Sequence, residues 1–176
     1  MKRSYYYDDL GIATVLMSHG FGVRTMMNVL QRIYETDRLL LEPEYQDDKK
    51  AFFSDVLYWT DYLVDKVQLD CEFPAIQKDL EGIGNAGDQV WQDDYDTELF
   101  FLNVRLRILY LDQQDFVRIK MKTLLARYGY KRRSSQLMKH LQDCMEAYHI
   151  QPYLRGRELC DLRTIRLDDM VSFRVE

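Results

Sequence analysis

Three consecutive cations, Lys131, Arg132 and Arg133, stand directly before "SSQLMKHLQDCMEAYHI". The residues that follow have the types and spacing of an amphipathic helix. Ser134 or Ser135 suits its N-cap, where a short hydroxyl accepts a hydrogen bond from a first-turn amide. The first turn of a helix presents N–H groups without intrahelical partners and the positive end of the helix dipole. Cations set against such a turn make a phosphate-binding arrangement, with Ser134, Ser135 and Gln136 as short polar partners. The whole chain carries a formal charge of −5, so this local concentration of positive charge runs against the overall balance.

Other groupings carry weaker chemistry. His140 and Cys144 lie four apart, and Cys160 could approach from a later segment, a donor set that zinc accepts. Cys144, however, falls in the apolar stripe of its helix, and no close Cys or His pair joins it. "GIGNAG" at 82–87 lacks the Lys-Ser/Thr that completes a P-loop. Ser18 and His19 are sequence neighbours, and neighbours on a helix do not face each other. The acids at 88, 93, 94 and 96 lack the spacing of a calcium loop. The expectation is therefore a non-enzymatic protein with no catalytic residue, no metal and no cofactor. A different chemistry comes from aromatics set among acids. Trp91, Asp93, Asp94, Tyr95 and Asp96 could form a protein-binding surface, because aromatics supply contact area and acids steer towards a basic partner. The plainer reading of the aromatics, including Tyr5, Tyr6, Tyr7, Tyr58, Trp59 and Tyr62, is that they fill the core.

These residues need elements to position them. The chain has 176 residues, 47% hydrophobic and 30% charged, a composition that suits one full domain or two small ones rather than a disordered chain. Its apolar stretches fall far short of the ~20 residues a membrane span needs. There is no apolar core of a secretory signal at the N-terminus, and three widely spaced cysteines suit a reducing cytoplasm. Residues 1–100 hold 9 Lys/Arg against 20 Asp/Glu, whereas residues 101–176 hold 15 against 9. That asymmetry points to an anionic partner for the second half. Helical spacing is read at 8–18, at 23–36 (Val23, Met27, Leu30, Tyr34) and at 47–68 (Phe53, Val56, Leu57, Leu63, Val64, Val67). "LLLEPEYQDD" reads as an extended segment turning at Pro43. A short helix follows Pro74, and residues 82–96 read as the boundary loop. In 100–111, Val104, Leu106 and Ile108 alternate with Arg105 and Arg107, which reads as a strand, while the leucine richness keeps a helix open as the alternative. Residues 113–128 read as a helix stopped by Gly129, 134–149 as a second helix, and "IQPYLRGRE" and "TIRLDDMVSFRV" as two strands.

The order helix, short turn, helix, two strands over residues 113–175 resembles a winged helix-turn-helix. The fold class expected is α+β, with an acidic, mainly helical domain at 1–96 and a basic, winged-helix-like domain at 97–176. The resemblance implies that the second helix meets a DNA major groove by its first turns. With Leu137, Leu141, Cys144, Met145 and Tyr148 turned inward, Gln136, Lys139, His140 and Asp143 would face out. Arg155 and Arg157, flanking Gly156 at the wing tip, would reach a minor groove or the backbone. The resulting expectation is a cytoplasmic DNA-binding accessory or regulatory protein, bacterial or from a mobile element, with duplex DNA as partner and a homodimer as a further expectation. The alternative is an interaction protein that inhibits or adapts a basic nucleic-acid-processing protein through the acidic half, in the manner of anti-CRISPR proteins.

Overall fold

The computed structural model describes residues 5–64, 89–127 and 130–176, with the side chains of 89–96 and 127 outside that description. The chain is α+β and divides into two compact units, residues 1–84 and 85–176. The boundary expected at 96/97 is corrected, because it falls inside a continuous helix. The short helix after Pro74, the "GIGNAG" loop and Cys71 lie outside the described residues.

The first unit contains helices α1 (Asp9–Ser18), α2 (Val23–Thr36) and α3 (Lys49–Leu63). Asp8 and Asp48 cap α1 and α3, their carboxylates accepting from the amides of Gly11 and Ala51. Every residue from Gly11 to Leu16 is buried, so α1 is the central helix of this unit, and it packs along α3 through Phe52, Val56, Thr60 and Leu63. The α2 stripe differs from the sequence reading. Met26, Val29, Leu30 and Ile33 are buried, while Val23 is 65% exposed. Two overlapping stripes share Leu30, and the core takes the wholly apolar one rather than the one that ends on Tyr34, whose hydroxyl donates to the Gln46 carbonyl. The segment after α2 is extended at Leu41, which bridges to Tyr7. Tyr7 is buried and its hydroxyl donates to Asp37 at 2.9 Å.

The second unit runs α4 (Gln89–Leu106), a π-helical turn (Arg107–Leu111), β1 (Val117–Lys120), α5 (Met121–Arg127), α6 (Ser135–Ala147), β2 (Ile150–Tyr153) and β3 (Met170–Val175). The sheet is antiparallel in the order β1-β3-β2, with Val117 and Pro152 both opposite Phe173 and Ile119 opposite Val171. Phe173 meets Phe100 and Phe101 of α4 edge-on, at 5.8 and 5.4 Å between centroids. These residues alternate along their strands, so one face of the sheet is the core face.

Two sequence expectations are overturned in this unit. Residues 100–111 are helical, not a strand. Leu99 to Leu106 are all buried, Arg105 included, and Arg105 Nη1 donates to the Tyr148 carbonyl at 2.8 Å. The apparent alternation arose because a buried arginine was counted as an outward one. Residues 113–128 are not one helix. The chain is extended over 117–120 and helical only from Met121, because β1 gains a full set of partners on β3. The expected stop at Gly129 lies outside the described residues. No helix among the described residues is long and apolar enough to cross a membrane.

Candidate nucleic-acid interface

α6 forms where its apolar spacing predicts it. Leu137, Met138, Leu141, Cys144, Met145 and Tyr148 are buried. Ser134 is the N-cap, its Oγ accepting from the Leu137 amide at 3.1 Å. Ser135 and Gln136 are exposed in the first turn. Ahead of them, Lys131 and Arg132 are exposed and have no ion-pair partner among the described residues.

The other proposed contacts separate into those that remain on the surface and those that the fold uses. Arg133 is corrected. Its Nη1 donates to the carbonyls of Leu162 and Ile165, at 2.9 and 2.6 Å. It therefore clamps the connection between β2 and β3 against the start of α6 and is not an open phosphate contact. His140 is also corrected. It was expected on the outer face, but its Nε2 lies 2.7 Å from Thr97 Oγ1 of α4 and 3.7 Å from Cys144 Sγ. Gln136 and Lys139 do face outward, and Lys139 is paired with Asp143 at 3.2 Å.

Arg155 and Arg157 sit on a 3-10 turn after β2, both exposed, with Arg157 at φ 66°. Tyr153 then bridges to Leu159, so this turn is a true tip. The chain reaches β3 only after further turns through 161–169, so the expected simple two-strand wing is shorter and more irregular than the sequence suggested. The acids of this region are occupied. Asp161 is gripped by Arg163, Asp168 by Lys122 and Asp169 by Arg166. Hydrogen bonds from those cations hold all three carboxyls below the usual carboxylate range. A cleft of about 680 Å³ beside the tip is lined by Lys120, Arg155 and Arg166 but also by Glu158, Asp168 and Asp169. Balanced charges make it a poor anion pocket.

The protein-binding set, Trp91, Asp93, Asp94, Tyr95 and Asp96, lies on α4 rather than in a loop, and its side chains are outside the description. In the first unit several aromatics are internal. Trp59 Nε1 donates to Asp9 at 3.0 Å, and the Tyr45 hydroxyl lies within 3.0 Å of both Asp9 and Asp55. Tyr58 is 62% exposed.

The sequence reading missed a cationic row on β1, Arg118 and Lys120, both exposed. Their alternation with Val117 and Ile119 was the available signal, and the helical reading of 113–128 covered it. Comparison of the chain with protein-family models, curated proteins and solved structures gives no match.

Proposed function

We propose that the chain is a non-enzymatic DNA-binding accessory or regulatory protein whose second unit engages duplex DNA as a winged helix-turn-helix does. The element order supports it: helix, strand, helix, helix, strand, strand, with the last strand central in the sheet. The observation that carries the reading is narrower. Lys131 and Arg132 stand exposed and without ion-pair partners directly before the capped first turn of α6, where Ser135 and Gln136 are open to a ligand. Arg155 and Arg157 add two more exposed cations at the wing tip.

Fluorescence anisotropy with a labelled duplex tests this. If these four cations each neutralise a phosphate, affinity should fall with salt along a log–log slope of about −3.6. The double variant Lys131→Glu, Arg132→Glu should abolish binding and leave the melting temperature unchanged, since exposed charges contribute little to stability. A protein with no salt-dependent duplex affinity at ~50 mM salt would overturn the reading, and the cations would then be assigned to an acidic protein face.

A further inference from the structure

The sheet of the second unit has a second face. Ile119, Val171 and Phe173 point into the core, so the alternate positions of the same strands point away from it. The register places Arg118 opposite Ser172 and Tyr153 opposite the same Ser172, with Lys120 opposite Met170 and Arg174 opposite Gln151. Phe116, just before β1, is half-buried beside them. The guanidinium carbons of Arg118 and Arg174 lie 5.1 and 5.2 Å from its ring centroid. Arg118 Nε also donates to Ser172 Oγ at 3.2 Å, so its planar head is fixed rather than trailing in solvent. Asp115 pairs with Arg174, and Lys120 at the far end of β1 shares a cleft with Glu158, Asp168 and Asp169, the last two of which are engaged by Lys122 and Arg166. Arg118 and Lys120 remain exposed, and neither is in an ion pair among the described residues.

We propose that this outer sheet face binds single-stranded nucleic acid. Charge selects a polyanion. The aromatic and guanidinium planes select one whose bases are unpaired, because a base can stack on Tyr153 or on the Arg118 head that Phe116 and Ser172 hold in place only when its own face is open. A duplex hides those faces. Lys120 and Arg118 take phosphates along β1. The site shares no residue with the α6 surface, although Lys120 and the wing-tip Arg155 line one cleft. The proposal does not depend on the duplex reading.

The test uses the full chain and fluorescein-labelled dT15 and rU15 in anisotropy titrations. Both should bind at ~50 mM salt with similar affinity, because no side chain here is assigned to the 2′-hydroxyl. With the two phosphates taken by Arg118 and Lys120 neutralised, the log–log salt slope should be about −1.4. Arg118→Gln with Lys120→Gln should weaken both oligonucleotides at least about tenfold and leave the melting temperature unchanged. Phe116→Leu keeps the charge and removes the ring that holds the Arg118 and Arg174 heads in place, so it should lose about fivefold or more. Lys131→Glu with Arg132→Glu should leave single-strand affinity within about twofold, because those cations lie on the other surface. Should the double glutamine variant melt early, Lys120→Gln decides the matter, since the Lys120 side chain is exposed, and unchanged affinity would overturn the proposal. So would a wild-type protein that ignores both oligonucleotides. So would displacement of dT15 by polyglutamate as readily as by unlabelled dT15, combined with a Phe116→Leu variant that binds like wild type.

Discussion

Single side chains in this protein divide between those that the surface displays and those that the fold consumes, and Arg133 belongs to the second kind. Its guanidinium serves two carbonyls of the β2–β3 connection. Arg133→Ala should therefore cost about 1.5–3 kcal/mol, the range for a charged hydrogen bond lost at a site where partners are left bare. Lys131→Ala or Arg132→Ala should stay within about 0.5 kcal/mol. Urea unfolding of the three variants separates them, and equal losses would contradict the clamp. Glu42 makes a second residue-scale prediction. Burial, with Asp8, Asp9 and Glu44 nearby, pushes its carboxyl from 4.5 up to about 7. The folded state then holds a proton that the unfolded state has released between those values. Stability from this group is complete below about 4.5 and is lost as pH rises through about 7. Melting temperature should fall from pH 5 to pH 8, and Glu42→Gln should flatten that fall. Because the side chain is half-buried, solvent screening keeps the effect modest. An identical slope in the variant would show that Glu42 is not the source.

At the scale of elements, α6 and α4 behave in opposite ways. α6 has a polar face, and its stripe of Leu137, Leu141, Cys144, Met145 and Tyr148 is read correctly from spacing because one side meets water. Leu141→Ala should cost about 2–5 kcal/mol by thermal or urea unfolding, since the side chain is 2% exposed. A loss below about 1 kcal/mol would mean the helix is not seated as described. α4 is buried continuously from Leu99 to Leu106. A helix buried on every side has no amphipathic signal, and inserting Arg105 and Arg107 between apolar residues imitates a strand. β1 shows the converse. Val117 and Ile119 alternate with Arg118 and Lys120, yet four residues next to a helix are too few to outweigh the helical pattern that follows. Pairing with β3 settles it.

For the molecule as a whole, the charge division changes meaning once the units are known. Cut at 100/101, the two parts balance at −11 and +6. Cut at the unit boundary 84/85, they balance at −6 and +1, because the acids at 88–98 join the cations in one unit. The positive character is therefore a property of particular surfaces, not of a basic domain. Residues 85–176 carry their own core, centred on Phe100, Phe101 and Phe173, and should unfold cooperatively when expressed alone. Residues 107–176 should not, because removal of α4 strips the sheet of its aromatic partners. Circular dichroism melting of the two fragments checks this. A cooperative transition in the shorter one would show that the sheet and α6 suffice.

Local chemistry was enough to determine the capped helix behind Lys131 and Arg132, the two C-terminal strands, the turn at Arg155 to Arg157 and the α+β class. Caps, glycine turns and half-wet helices leave their pattern within a few neighbouring residues. Tertiary structure alone decided which of two overlapping stripes α2 buries, that 100–111 is helical, that Arg133 and Arg105 serve backbone carbonyls, and that His140 turns to Thr97. Apart from the α2 stripe, each of those outcomes depends on a partner 29 or more residues away or on burial from every side, and neither is recorded in the periodicity of the segment itself.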